Sequence, residues 1–186
     1  GKGRVISRAE TYGRLYSCGF EIVDEKIINN LLYFIAKKTN KPKYDNNPTY
    51  GPFIKLNRIG KNGKKIKVYK LRTMHPYSEY LQKYIYEKNN LDSGGKIKND
   101  FRISPLGRIF RKFWIDEIPM FLNVILGDMK VVGVRPLSEH FFNLYDEDLQ
   151  RQRIKNKPGL IPPYYVDLPK TMTEIMQSER KYLQVY

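Results

Sequence analysis

GRIFRKFWIDEIPMFLNVILGDMKVVGVRP, residues 107–136, is the stretch whose reading decides the fold and the site. It sets two adjacent carboxylates, Asp116 and Glu117, between basic residues and just ahead of an apolar pattern with helical spacing. Arg108, Arg111 and Lys112 precede the pair and Arg135 follows it, so a basic neighbourhood holds one acidic spot able to act as a nucleophile or to hold a metal. Asp116 followed by a glutamate and by Pro119 is also what an ordinary helix start looks like, and the spacing predicts a central helix beginning at Asp116. A cap and a phosphate site are compatible, because a helix start offers free N–H groups and partial positive charge to an anion.

Working outward from this stretch, Phe53 to Ile59, the turn Gly60-Lys61-Asn62-Gly63, and Ile66 to Leu71 predict a β-hairpin. Lys61, Lys64, Lys65, Lys67 and Lys70 make it the most basic one in the chain. Tyr77, Leu81, Tyr84 and Ile85 share one face of a predicted helix ending near Asn89, followed by a surface loop at Gly94-Gly95. Ser138 caps a predicted helix through Tyr145, a further one runs from Asp146 to Lys155, and Thr171 with Glu174 has capping-box spacing for a last helix. At the other end, Ser7 caps a predicted helix carrying Ala9, Tyr12, Leu15 and Tyr16 that stops at Gly19. Short strands at Phe20 to Val23 and Leu31 to Ile35 come next, separated by Asp24 to Asn30. The fold class is α+β, mainly helical, with a basic hairpin preceded by a small helix-strand-strand unit. Its parts are residues 1–40 as that unit, 41–50 as a Lys-, Asn- and Pro-bearing linker, and 51–186 as the main domain.

Composition narrows the function classes. The 186 residues include 41% hydrophobic and 13% aromatic side chains, which excludes a disordered chain. Lysine and arginine number 34 against 19 aspartate and glutamate, a net charge of +15 that favours an anionic partner. Cys18, the sole cysteine, excludes an intrachain disulfide and reads as a small buried apolar residue. Two histidines, His75 and His140, without further ligands at matching spacing argue against a structural zinc site. No apolar run reaches the ~20 residues of a spanning helix.

Four ordered segments resemble the bacterial sugar transferases, the monotopic phosphoglycosyl transferases. They are GPFIKLNRIGKNGKKIKVYKLRTM (51–74), NDFRISPLGRIFRKFWIDEIP (99–119), NVILGDMKVVGVRP (123–136) and KPGL (157–160). The resemblance implies transfer of a sugar phosphate from a nucleotide diphosphate sugar, a uridine diphosphate sugar by preference, to polyprenyl phosphate, starting glycan assembly. It implies that Asp116 is the nucleophile forming an aspartyl phosphosugar and that Glu117 is its catalytic partner and a ligand of Mg2+. It implies phosphate contacts from Lys70, Arg72, Arg111 and Arg135, and an anionic membrane surface at the cytoplasmic face of the bacterial inner membrane. The polar residues 37–50 stand where the family carries its membrane helix, so that segment is expected upstream of Gly1. Two departures are visible: Val134 replaces the first proline of the family's Pro-Arg-Pro turn, and LIPPYYVDLP (160–169) replaces the family's segment after Pro-Gly, changing the expected nucleotide or sugar pocket. The rival readings are a non-catalytic membrane-surface homologue and a basic nucleic-acid-binding module. The second is disfavoured, and no nucleic acid is expected, because an acidic dyad interrupts the basic residues and no nucleic-acid motif is present.

Overall fold

The computed structural model describes residues 5–43, 51–89 and 99–185, which form two compact units. The expected loop at Gly94-Gly95 and residues 44–50 of the linker lie outside the described residues.

One unit gathers residues 5–43, 73–89 and 99–109. Helix α1 (Arg8–Ser17) starts where Ser7 accepts a hydrogen bond from the Glu10 N–H. It stops at Gly19, whose φ of +85° and whose closeness to the Asn40 carbonyl, 2.0 Å from where a Cβ would stand, admit no side chain. Strands β1 (Phe20–Ile28) and β2 (Leu31–Lys38) pair antiparallel through the two-residue turn Asn29-Asn30, both at positive φ. β1 therefore runs straight through the charged residues expected to separate two short strands. Glu25 is the reason: it faces inward and accepts hydrogen bonds from the Tyr12 hydroxyl at 2.6 Å and the Tyr84 hydroxyl at 3.2 Å, and from Arg8 and Lys88. Tyr12, Leu81 and Ile85 form the unit's core, with Tyr16, Ile22, Leu32, Tyr84 and Phe101 packed around them. Helix α2 (Gln82–Asn89) contributes Ile85, and α3 (Pro105–Lys112) begins in this unit. Cys18 caps the C-terminus of α1 and is exposed, correcting its expected burial; helical spacing turns Tyr12 and Tyr16, not the thiol, toward the core.

The other unit comprises residues 51–72 and 110–185. Strands β3 (Phe53–Ile59) and β4 (Lys65–Leu71) form the expected hairpin, in register from Phe53 opposite Leu71 to Ile59 opposite Lys65. Ile66 and Val68 enter a core with Met120, Met129 and Leu160. Helix α4 (Met120–Ile125) lies against β4, and its wholly buried Asn123 acts as a missing strand: Oδ1 accepts the Tyr69 N–H at 3.0 Å and Nδ2 donates to the Lys67 carbonyl at 2.8 Å. Beyond α4, β5 (Lys130–Val132) pairs parallel with β6 (Gly159–Ile161), an arrangement absent from the sequence expectation. Between these strands come α5 (Glu139–Phe142) and α6 (Glu147–Lys155), capped by Ser138 and Asp146. α5 is a single turn and stops short of Tyr145. Helix α7 (Met172–Val185) closes the unit; Thr171 accepts the Glu174 N–H at 3.2 Å, while Glu174 reaches back to the Lys170 N–H at 2.7 Å. Helices and small sheets together make the α+β class. Among the described residues no helix is long and apolar enough to cross a membrane.

Candidate active site

The site is built from the end of α3 onward. Trp114 takes a left-handed conformation, φ 56°, a costly choice for a bulky residue. Its ring stacks on Tyr165 with centroids 4.9 Å apart, which offsets that cost. The reversal launches a 3-10 turn over Ile115–Glu117, so Asp116 lies inside this turn and not at the start of the central helix. The N-cap position of α4 is Pro119, with no side-chain cap bond, and six residues of helix follow. A helix-start anion site at Asp116, as expected from the sequence, is therefore not what the fold builds.

Neighbours in a 3-10 turn point about 120° apart, and the two acids diverge accordingly. Asp116 is 8% exposed, and among the described residues no hydrogen bond or ion pair occupies its side chain. Glu117 turns instead to Lys70, whose Nζ donates to Oε1 at 2.5 Å. Strand alternation explains the encounter: Lys70 shares the face of β4 that carries Ile66 and Val68, so its ammonium is directed inward and away from the solvated lysines of the hairpin.

The opposite strand adds a residue that the sequence reading missed. Arg58 pairs with Ile66 across the hairpin and shares this face. Burial, and then the charge of Arg135, lower its pKa. Its signal in the sequence was an arginine in phase with Ile54 and Leu56. Arg135 is exposed as a residue, yet its pKa is raised: desolvation of the guanidinium opposes the shift, but the Tyr164 hydroxyl, which accepts from Nη1 at 3.3 Å, and then Tyr165 and the charge of Glu117 outweigh it. Tyr165, beside it, is pushed up to about 12 by burial, by Tyr164, and by the charges of Glu117 and Asp116, so its hydroxyl remains a donor at neutral pH. Both tyrosines come from the departing segment 160–169, which thus lines this site.

The remaining expected contacts are placed differently. Arg72 uses Nε to hold the Gly51 carbonyl at 3.0 Å. Arg111 is exposed in the last turn of α3, and no hydrogen bond or ion pair joins it to Asp116 or Glu117. Among the described residues no group of three or more His, Cys, Asp or Glu side chains is placed to hold a metal by itself. A carboxylate pair, two cations of the hairpin's inner face and Arg135 are nonetheless the mixture of signs that a phosphate-transfer reaction requires.

Comparison with known proteins agrees with the four segments. The family model described as "Bacterial sugar transferase" matches residues 43–186. The chain belongs to this family. It is 33% identical over 138 residues to the galactosyl transferase CpsE of Streptococcus agalactiae, covering 72% of this chain and 30% of that protein. Identity is 35% over 108 residues to the exopolysaccharide production protein ExoY of Rhizobium meliloti, covering 55% and 47%. It is 34% over 108 residues to the undecaprenyl-phosphate galactose phosphotransferase of Salmonella typhimurium, covering 55% and 22%. The sugar transferase chain thus spans less than half of each of these relatives.

Proposed function

We propose that this chain carries the catalytic portion of a phosphoglycosyl transferase that moves a sugar phosphate from a nucleotide diphosphate sugar, with uridine as the nucleoside, to polyprenyl phosphate. The observation that carries the reading is the buried carboxylate of Asp116, bonded to no described residue, next in sequence to a Glu117 already paired with Lys70. Asp116 is the nucleophile: one Oδ forms a bond to the phosphorus bearing the sugar, the bridging P–O bond breaks, and its electron pair leaves with the nucleoside monophosphate. An oxygen of polyprenyl phosphate then attacks the same phosphorus, and the Oδ–P bond breaks to restore the carboxylate. Lys70 and Arg135 stabilise charge on the departing phosphate, with Arg58, Arg72 and Arg111 as further anion contacts. The relatives named for undecaprenyl-phosphate phosphotransfer support the acceptor class.

Mg2+ fits the residues present. Magnesium binds through one or two carboxylates with substrate phosphates and water, so a three-carboxylate cage is not required. Oε2 of Glu117 carries no hydrogen bond from a described residue and is the oxygen offered to the metal. When bound, Mg2+ supplies charge neutralisation between anionic reactants.

The acceptor is a lipid, which calls for a bilayer beside the site. Phe113, Ile118, Phe121, Ile125 and Leu126, on either side of the dyad in sequence, are all at least 52% exposed, a concentration of exposed large apolar side chains in one short stretch. We place this stretch against the cytoplasmic face of the bacterial inner membrane. The experiment that tests the proposal offers the membrane-borne protein a panel of uridine diphosphate sugars, undecaprenyl phosphate and Mg2+. Nucleoside monophosphate is the expected product, with a phosphosugar adduct on Asp116 when the lipid is withheld. Nucleoside diphosphate as the primary product assigns another reaction class.

A further inference from the structure

Arg135 is held from two sides, and only one belongs to the site. Its guanidinium reaches Tyr164, while its backbone carbonyl accepts a hydrogen bond from Nη2 of Arg153 on α6. Nη1 of Arg153 is ion-paired to Oε2 of Glu179 on α7, and the guanidinium lies over the Tyr145 ring at 4.9 Å. Arg153 is 5% exposed and Glu179 is 0% exposed. Among the described residues, Oε1 of Glu179 has no hydrogen-bond partner.

Such a pair is a poor device for stability, since well-packed apolar residues of similar volume do as well or better in its place. Its position suggests another use. Just past β5 the Gly133 N–H bonds the Ile161 carbonyl at 3.2 Å, and the Val134 carbonyl folds back to accept the Gly159 N–H at 2.9 Å, at the start of β6. The next residue is Arg135, whose carbonyl has left the sheet, and Pro136 after it has no N–H to give. Val134 supplies none of the fixed φ that a proline imposes. The Arg153 guanidinium is therefore the tether at the point where the ladder stops and the catalytic turn begins.

We infer that Arg153 and Glu179 are positioning residues: Glu179 orients Arg153, and Arg153 fixes the Arg135 backbone so that its guanidinium stays on Tyr164 and within the field of Glu117. As a role in turnover this rests on the function proposed above, whereas the tethering of the turn does not. A misplacement of about 1 Å at such a group costs on the order of 100-fold in rate. Burial raises the pKa of Glu179, opposed by the charge and hydrogen bond of Arg153.

The test compares wild type, Glu179→Gln, Arg153→Lys and the apolar double replacement Arg153→Met/Glu179→Met in the membrane-borne full-length protein. Amide hydrogen exchange reads the turn, and turnover of the uridine diphosphate sugar panel reads function. Expected are faster exchange in the peptides containing Gly133 and Gly159, unchanged exchange in β3 and β4, and a kcat lowered by roughly 10-fold or more with KM little changed. The apolar double variant keeps the wild-type melting temperature and still loses turnover, which a merely structural pair does not do. Adding Arg135→Lys to any of these produces no further loss beyond that of Arg135→Lys alone, because both act through one group. Unchanged exchange at Gly133 and Gly159 in the apolar double variant overturns the tether, whatever the activity. Losses that multiply with Arg135→Lys overturn the route through Arg135. A wild type that turns over no donor sinks the proposed function instead, and exchange alone then decides whether Arg153 fixes the turn.

Discussion

Nζ of Lys70 and Oε1 of Glu117 meet at 2.5 Å, tying the inward face of a strand to the turn that carries the dyad. Their side chains are 17% and 21% exposed, so the pair is neither a solvated surface bridge nor a fully desolvated one. Breaking either half leaves a partly buried charge without its counterion. Lys70→Met and Glu117→Gln should each destabilise the protein, and the double variant should recover part of the loss. A double-mutant cycle by urea denaturation should give a coupling of about 1–2 kcal/mol, and a coupling near zero removes the pair from any account of how the dyad is held.

Asp116→Asn preserves size and removes the charge. Because no described residue is bonded to the Asp116 side chain, the melting temperature should stay within a few degrees of wild type while formation of nucleoside monophosphate falls to background. Separation of stability from turnover is the signature. Retention of most of the activity assigns the nucleophile elsewhere.

Local signals in the sequence carried much of the fold. Ser7, Asp146 and Thr171 cap the helices that follow them, and the Gly60 to Gly63 turn fixes the β3–β4 register, because a cap or a tight turn is decided within four residues. The β5–β6 pair escaped because three residues per strand carry no alternation, and a parallel partner 29 positions away leaves no local trace, as in Lys130 opposite Gly159. At the site, the dyad and Lys70 were named through the family resemblance, yet their contact depends on the phase of β4, in which Lys70 follows Ile66 and Val68. Arg58, Asn123 and Tyr165 were hidden for a common reason. Each is a polar or amphipathic residue whose value lies in what it faces, and only the packed unit decides that.

In the other unit, Glu25 should dominate the acid response. Burial alone raises its pKa, but hydrogen bonds from Lys88 and Tyr12 and the charge of Arg8 prevail and bring it from 4.5 down to about 2. A carboxylate with a depressed folded pKa contributes stability that is complete above its unfolded value. That contribution is lost as pH falls from about 4.5 toward about 2. Its size is on the order of 2–3 kcal/mol for a group that is 14% exposed. Glu25→Gln should lower stability at pH 7 and flatten its fall over that acid window, as read by denaturant unfolding at several pH values. An unchanged pH profile removes Glu25 as the hub.

Vesicles test the apolar surface around the dyad. Ile118→Asp/Ile125→Asp places two charges on residues 58% and 80% exposed, so folding should be little affected. Binding to anionic vesicles should nevertheless weaken by at least about 10-fold, since loss of apolar contact and added repulsion act together. Equal binding by the wild type and this variant moves the lipid-facing surface elsewhere on the protein.

Asn123 links the fold to the chemistry most directly. Its amide supplies both a donor and an acceptor to β4, at Lys67 and Tyr69, immediately before Lys70. Its own carbonyl accepts from the N–H groups of Asp128 at 2.9 Å and Met129 at 3.1 Å, so the same residue also turns the chain from α4 toward β5. Asn123→Leu retains volume but leaves the Tyr69 N–H and the Lys67 carbonyl without that partner, at a cost of about 1–3 kcal/mol for each group that stays buried. Asn123→Asp keeps the acceptor, removes the donor and adds a buried charge against β4. Both variants should lose stability, and both should also loosen Lys70 from Glu117. If the strand edge is what sets Lys70, adding Lys70→Met to Asn123→Leu costs little further activity. If the two losses multiply instead, Asn123 supports the core alone, and the inward direction of Lys70 is set by strand alternation without help from α4.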